Sequence, residues 1–137
     1  MKVFIDNNVL IDYLLVRQPF FKSAAIIMDM CRTQEIEGII ASLTFTNAAY
    51  ILRKAFPLDI LYEKLEYIMS YCHLSAVDEK IVATAIAERG TDFEDAVQYH
   101  SALFANADIV ITRDKTGFKN RELPVYTPDE FLTKTLQ

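Results

Sequence analysis

The sequence contains few of the residues that break regular secondary structure, with three glycines and four prolines among 137 residues. Hydrophobic residues make up 52% of the chain. Burial of that much apolar surface offsets the entropy lost when the backbone is ordered, which excludes intrinsic disorder. The length fits one compact domain over residues 1–137. The motifs GxxxxGKS/T, GxGxxG and GxSxG are absent, which argues against P-loop, dinucleotide-binding and α/β-hydrolase chemistry.

The chain has no excess of positive charge, because 14 Lys and Arg residues face 19 Asp and Glu residues and the net charge is −5. No global basic field therefore attracts nucleic acid, and contact with nucleic acid needs a local basic patch. Charged residues interrupt the apolar stretches before the roughly 18–20 residues of a membrane span. The apolar run at residues 3–5 is also too short for a secretory signal. We therefore expect a cytoplasmic protein that does not contact membranes.

Motifs built on cysteine or histidine are also missing. Cys31 and Cys72 lie in apolar, helix-like segments without CxxC or Cys/His ligand spacing, so we expect them to be small buried side chains. His73 and His100 lie in different segments and form no HxxxH pair. These four residues are therefore not counted among the candidate site residues.

Short apolar runs alternate with segments of helical periodicity along the chain. Strands are predicted at residues 3–5, 38–41, 74–77, 109–111 and 125–126. Helices are predicted at residues 9–14, 19–34, 44–56, 58–71, 81–89, 93–106 and from residue 128 onward. Strands of near-continuous apolar sequence are typical of a parallel sheet that is covered on both faces. The pattern therefore predicts an α/β fold with three layers, α/β/α.

Several helix ends carry recognisable capping residues. Asp78 is a predicted N-cap for the helix at 81–89, and Gly90 is predicted to end that helix. Thr127 and Glu130 have the spacing of a capping box, with Pro128 at the first helical position.

Three aspartates are placed where strands end or where a neighbouring helix begins. Asp6 directly follows the first strand, Asp114 lies just past the strand at 109–111, and Asp95 falls in the opening turn of the helix at 93–106. Ligands of parallel α/β sheets bind at this edge, so we expect the three carboxylates to converge. Grouped carboxylates repel one another unless a cation neutralises them, and oxygen ligands select Mg²⁺ or Mn²⁺. Such a site suits metal-assisted phosphodiester hydrolysis.

A purely structural role for the aspartates is the competing interpretation. Asp6 can cap the helix that follows the first strand, and Asp92, three residues before Asp95, can cap the helix at 93. Acidic residues in a first helical turn are also favoured by the helix dipole.

Three segments occur in a distinctive order: VFIDNNVLI at residues 3–11, DFEDA at 92–96, and IVITRD at 109–114 followed by Phe118. Together they resemble the PIN domain, the fold of VapC-type toxin ribonucleases, over essentially the whole chain. The resemblance implies a parallel sheet of roughly five strands and an endoribonuclease site that uses Mg²⁺ or Mn²⁺. It implies that Asp6, Asp95 and Asp114 hold the metal. It also implies that Asn8 and Thr112 support these carboxylates through hydrogen bonds.

One position departs from the family pattern. The family usually has a glutamate in the helix after the second strand, and this sequence has Asn47 there. Asparagine can offer a neutral carbonyl oxygen, but it removes one negative charge and cannot act as a base. Asp92 and Glu94 are nearby acids that can compensate. The competing interpretation places Asn47 in the first turn of a helix that Thr44 caps.

Four basic residues follow the last long strand and adjoin the predicted metal site: Arg113, Lys115, Lys119 and Arg121. Such a patch can hold a phosphate of an RNA substrate by charge-assisted contacts. An ordinary solvated loop is the alternative.

The sequence leaves the partners and the activity open between several interpretations. The resemblance implies an RNA substrate, an antitoxin partner and a homodimer, for which the apolar helices at 19–34 and 58–71 are candidate interfaces. A PIN-like module that only binds RNA or a protein is the alternative that Asn47 favours. A receiver-like domain fits less well, because Asn7 and Asn8 rather than acids follow Asp6.

Overall fold

Five parallel strands form the central sheet of the computed structural model, which describes residues 1–135. The strands are β1 (Lys2–Ile5), β2 (Glu37–Ala41), β3 (Cys72–Ser75), β4 (Ile109–Ile111) and β5 (Val125–Tyr126). Their spatial order is β3-β2-β1-β4-β5, and every pair is parallel. Strands β2 and β3 lie on one side of β1, and the chain then crosses over so that β4 and β5 lie on the other side. The strand order therefore reverses between β1 and β4, which is where open α/β sheets place their ligands.

Seven α-helices and one 3₁₀ helix cover the sheet within residues 1–135. They are α1 (Asn7–Leu14), α2 (Phe21–Arg32), α3 (Ser42–Leu52), α4 (Leu58–Met69), α5 (Glu79–Glu88), α6 (Phe93–Phe104), the 3₁₀ helix (Lys115–Phe118) and α7 (Pro128–Thr135). None of the helices in these residues is long and apolar enough to cross a membrane.

The two faces of the sheet bury separate apolar cores. On β1, Val3 and Ile5 pack with residues of α1, α2, α3, α4 and α7, while Phe4 points to the opposite face and packs with Tyr99 and Ala102 of α6. This alternation follows from the two-residue period of a strand. A third cluster joins α5 to α6. The predicted three-layer α/β/α class is confirmed.

The capping predictions are confirmed for two helices. Asp78 accepts a hydrogen bond from the Ile81 backbone N–H at 3.0 Å and caps α5. The capping box before α7 is closed in both directions, because Glu130 Oε1 accepts from the Thr127 N–H at 2.9 Å and Thr127 Oγ1 accepts from the Glu130 N–H at 3.2 Å.

Three local predictions are wrong. Helix α3 begins at Ser42, directly after β2, so Thr44 lies inside the helix; it is fully buried, and its hydroxyl accepts a hydrogen bond from Gln98 Nε2 at 3.2 Å. Helix α5 ends before Gly90, because Arg89 adopts the left-handed conformation (φ 51°). Strand β3 begins at Cys72, which is therefore in a strand and not in a helix.

Gly38 of β2 lies against both cysteines, which are free and buried as predicted. A Cβ atom at Gly38 would come 2.6 Å from Cys31 Sγ and 3.0 Å from Cys72 Sγ. The G38A variant is therefore expected to lose about 1–3 kcal/mol of unfolding free energy by overpacking, measured by urea denaturation. The matched control is G90A, because a Cβ at Gly90 would meet nothing within 4 Å. Equal midpoints for G38A and wild type would contradict this account of the core.

Candidate functional site

Asp6 marks the point where the strand order reverses. It directly follows β1, and its backbone N–H donates to the Ile111 carbonyl of β4 at 2.9 Å. The side chain is only 4% exposed. It accepts hydrogen bonds from the Asn7 N–H at 2.8 Å and from the Thr112 hydroxyl at 2.8 Å. Burial nevertheless raises the pKa of Asp6 to about 6, since these two hydrogen bonds only partly offset the loss of hydration.

A small polar network connects Asp6 to the segment that follows β4. Thr112 is fully buried and has one hydroxyl proton, which it donates to Asp6 Oδ2. Its oxygen accepts from Asn8 Nδ2 at 3.3 Å, and Asn8 Oδ1 in turn accepts from the Arg113 N–H at 3.1 Å. The structure thus places Asn8 and Thr112 next to Asp6, where the resemblance implies them, and the Thr112 hydroxyl orients the Asp6 carboxylate.

Asp95 is the second acidic group in this crevice. It lies in the first turn of α6, and Asp92 caps that helix by accepting from the Asp95 N–H at 3.0 Å. Partial burial raises the pKa of Asp95 to about 7, with the negative charges of Asp6 and Asp92 adding to the effect. Asp6 and Asp95 are therefore close enough to repel each other. Asp92 has the capping role that the competing interpretation assigned to it, and Glu94 lies on the same helical turn.

The 3₁₀ helix packs directly against the Asp95 side chain. A Cβ atom built on Gly117 would lie 1.7 Å from Asp95 Oδ2 and 2.6 Å from its Cγ. Only a residue without a side chain fits at this point, so Gly117 makes the space that the carboxylate occupies. Gly117 was not among the predicted site residues, because the sequence marks it only as one of three glycines, three residues after Asp114.

The expected convergence of three carboxylates is wrong for the Asp114 side chain. Asp114 is exposed and caps the 3₁₀ helix by accepting from the Thr116 N–H at 3.0 Å, and this contact lowers the pKa of Asp114. In residues 1–135, no group of three or more His, Cys, Asp or Glu side chains is arranged to hold a metal ion. The physical reason is local, because the Asp114 carboxylate already has a partner in the backbone N–H of Thr116 at the start of the 3₁₀ helix. Its backbone still lies in the crevice, because the Asp114 carbonyl is 3.2 Å from Thr112 Oγ1.

The donor set fits a hard divalent cation, although only two carboxylates are gathered. Burial raises the pKa of both Asp6 and Asp95, and nearby negative charges raise each pKa further. A divalent cation bound to these oxygen donors would offset both effects. The set contains no sulfur or imidazole donor that would favour softer metals.

Asn47 is not connected to this pair by a hydrogen bond in the part of the chain that the structure describes. It is half-buried in the second turn of α3, since that helix begins at Ser42. Its role therefore remains the prediction made from the sequence.

Three of the four basic residues are already paired with acids. Arg113 Nε lies 2.7 Å from Asp12 Oδ2, Lys115 Nζ lies 3.0 Å from Glu130, and Arg121 forms two hydrogen bonds to Glu88 at 2.7 and 3.0 Å. Most of the predicted basic patch is therefore paired with acids in this structure, and its binding of a substrate phosphate remains a prediction. The acids come from distant positions in the chain, which no local pattern could indicate. Within residues 1–135, Lys119 alone of the four makes no ion pair.

The Arg121 contact belongs to a larger cluster on the α6 side of the molecule. The guanidinium of Arg121 lies 4.6 Å from the centre of the Tyr99 ring. Its hydrogen bonds lower the pKa of Glu88 to about 2. His100 Nε2 also lies 3.0 Å from Glu88 Oε2. The cluster anchors the loop that follows the 3₁₀ helix to α5 and α6.

An open groove lies next to Asp92 and Gly117, two residues that contact Asp95. Its volume is about 360 Å³, and its walls include Asp92, Thr116, Gly117, Lys119, Asn120 and Arg121. The groove therefore has an acidic end next to Asp95 and a basic rim at Lys119. This distribution suits a ligand that carries negative charge and reaches towards a cation held at the acidic end.

The family model described as PIN domain matches residues 2–116. No curated protein matches the sequence.

Solved structures share the fold at low sequence identity. A toxin–antitoxin complex from Klebsiella pneumoniae has a TM-score of 0.69 at 19% identity, covering 92% of this chain and 97% of that chain. FitAcB from Neisseria gonorrhoeae has a TM-score of 0.67 at 18% identity, with 92% and 97% covered. VapC20 from Mycobacterium tuberculosis, described as a sarcin-ricin loop cleaving toxin, has a TM-score of 0.65 at 10% identity, with 85% and 92% covered. With the family match over residues 2–116 and the same fold in these structures, the chain belongs to the PIN domain family.

Proposed function

We propose that this protein is a metal-dependent endoribonuclease that hydrolyses RNA phosphodiester bonds. The observation that carries the proposal is the pair formed by Asp6 and Asp95 in the β1/β4 crevice. Burial raises the pKa of both carboxyls, and the negative charge of Asp6 adds to the effect at Asp95. Ionising two buried carboxyls costs free energy in the metal-free protein. A divalent cation bound to them would offset that cost. Family membership and the likeness to toxin structures support the same activity.

Asp6 and Asp95 would hold Mg²⁺ or Mn²⁺. Asp114, whose side chain caps the 3₁₀ helix in this structure, would join them only by giving up its hydrogen bond from the Thr116 N–H. When bound, the ion supplies a water of lowered pKa and positive charge for the phosphoryl oxygens. Thr112 keeps the Asp6 carboxylate oriented through its hydroxyl hydrogen bond. Asn47 would contribute at most a neutral oxygen.

The groove beside Asp95 would hold the RNA strand, with Lys119 as its phosphate contact. K119A is therefore expected to raise KM for RNA and to flatten the dependence of log affinity on log salt by about 0.7–0.9, the contribution of one phosphate contact. K115A is expected to have a smaller effect, because Lys115 is already paired with Glu130. Fluorescence anisotropy with labelled RNA at several salt concentrations measures the affinity and its salt dependence for both variants. A larger effect from K115A than from K119A would place the RNA on the other side of the loop.

The test of the proposed function is cleavage of a labelled structured RNA by the purified protein with Mn²⁺, Mg²⁺ or EDTA. We expect cleavage with either metal and none with EDTA. The D6N variant, purified identically, excludes contaminating nuclease. Cleavage that persists in EDTA or in D6N would refute the metal-dependent mechanism.

A module that binds RNA or a protein without cleaving is the second candidate function. It is favoured by Asn47, which stands where the family usually has glutamate, and by the Asp114 carboxylate, which lies outside the acidic pair. Wild type and D6N would then be equally inert across several RNAs, while wild type still binds RNA or a small protein partner.

An antitoxin partner and a homodimer complete the proposal. The supporting observation for the partner is that similar solved structures include a toxin–antitoxin complex. Helix α4 also exposes large apolar side chains suited to an interface, namely Leu58, Tyr62, Tyr67 and Met69. Light scattering of the purified chain measures whether it dimerises.

We expect the activity to reside in the cytoplasm, where its RNA substrate is found.

A further inference from the structure

Asp12 is a buried carboxylate on an otherwise apolar part of α1. Its side chain is only 2% exposed, and its neighbours in the helix, Val9, Leu10 and Ile11, are also buried. A buried charge is costly unless a partner compensates it with good geometry. The protein therefore keeps Asp12 in this position for a contact that an apolar residue could not make.

Arg113 supplies that contact from the far end of the sequence. Its Nε lies 2.7 Å from Asp12 Oδ2 and its Nη2 lies 3.3 Å from Asp12 Oδ1, so the pair is bidentate. The same guanidinium lies 4.3 Å from the centre of the Phe20 ring. A planar group that is bound at two points and stacked on a ring has one orientation. Arg17 contributes only a distant contact, with Nη1 3.9 Å from Asp12 Oδ1.

The same face of α1 also binds the backbone of Arg113. Asn8 and Asp12 are four residues apart and therefore lie on one face of the helix. Asn8 Oδ1 accepts from the Arg113 N–H, while Asp12 binds the Arg113 side chain. Arg113 is thus held by both its backbone and its side chain. Its neighbours in the chain are Asp114 and Thr112, and Thr112 orients Asp6.

We propose that Asp12 is a positioning residue for the acidic site, and that it acts through the bidentate contact with Arg113 to hold the segment 112–114 against α1. The proposal rests on the proposed function for its catalytic consequence. It also reassigns Arg113, which the sequence predicted to bind substrate. The Arg113 Nε and Nη2 donors are committed to the buried Asp12 carboxylate, so an RNA phosphate could engage only the remaining guanidinium donors without breaking this pair.

The test compares D12N and R113K with wild type. D12N removes the charge of the carboxylate, and R113K keeps the positive charge but loses the two-point contact. In both variants we expect kcat for RNA cleavage to fall roughly 10–100-fold, as for other residues that orient metal-site groups, with KM and its salt dependence unchanged. We also expect faster amide hydrogen exchange at Arg113 and Thr116. The control R17A removes only the distant contact and should match wild type in kcat and exchange.

Each outcome decides the proposal. Unchanged amide exchange at Arg113 and Thr116 in both variants would overturn it, whatever the activity. A raised KM with unchanged kcat in R113K would overturn it in favour of direct substrate binding. If D12N fails to fold, R113K carries the test. If wild type cleaves no RNA, the proposed function fails, and amide exchange alone decides whether Asp12 holds the segment.

Discussion

Replacing Asp95 by asparagine is expected to abolish RNA cleavage and, at the same time, to raise the Tm of the metal-free protein at pH 8. Activity should fall at least about 100-fold, the cost of removing one group that stabilises transition-state charge. The opposite sign for stability follows from the pKa of Asp95, which is about 7 in the folded protein against an ordinary value of 3.8. The folded state therefore binds this proton more tightly than the unfolded chain does.

The pH dependence follows from that difference. Below about pH 4 the carboxyl is protonated in both states and imposes no penalty. As the pH rises from about 4 through 7, the unfolded chain releases the proton first, so the unfolding free energy of the metal-free protein falls. Above pH 7 the whole penalty is present, and asparagine, which is similar in shape and uncharged, removes it.

Thermal melts of D95N and wild type at pH 4 and pH 8, with and without Mn²⁺, measure this prediction. Mn²⁺ should raise the Tm of wild type at pH 8 and have much less effect on D95N, since a ligand stabilises only the state that binds it. The control is D59N, because Asp59 is an exposed acid in the first turn of α4. A lower Tm for D95N than for wild type at pH 8 would show that Asp95 stabilises the fold, which contradicts this account.

Replacing Gly117 by alanine is expected to cost nearly as much activity as D95N, although it removes no polar group. The new Cβ would lie 1.7 Å from Asp95 Oδ2, 2.6 Å from Cγ and 2.8 Å from Cβ, so no small rotation of the carboxylate relieves the overlap. Asp95 must leave its position, or the 3₁₀ helix must move away from α6. The reason is steric and not conformational, because no glycine in the described chain has a positive φ.

Cleavage rates and Mn²⁺ affinity of G117A measure the effect on the site, and urea denaturation measures the strain, which should be about 1–3 kcal/mol. The control is G90A, a glycine on the same groove where a Cβ meets nothing within 4 Å. The losses from G117A and D95N should not add in the double variant, because both act on one carboxylate. Wild-type metal affinity in G117A would refute the contact between Gly117 and Asp95.

Much of the site's location was predictable because it depends on short-range patterns. An apolar run that stops at Asp6, and another that stops before Thr112, place both residues at the carboxyl ends of parallel strands. The spacing of Asp92 and Asp95 likewise predicts a helix start. Thr44 was assigned wrongly because β2 passes into α3 without a loop, and no turn residue marks that boundary.

The sequence by itself determined the strands, most helices, the PIN domain family and the positions of Asp6, Asn8, Thr112 and Asp95. The strands, the helices and the positions of Asp6 and Asp95 follow from periodicity and from capping within a few residues. The family and the supporting positions of Asn8 and Thr112 follow from the resemblance of three short motifs. Only the tertiary structure decided which charged side chains pair with an opposite charge and which remain free to bind a ligand. Asp12 and Glu88 reach Arg113 and Arg121 across 101 and 33 residues, and Gly117 meets Asp95 across a helix contact. Such pairings depend on how the layers pack, because the partner of a long charged side chain is set by distance in space and not along the chain.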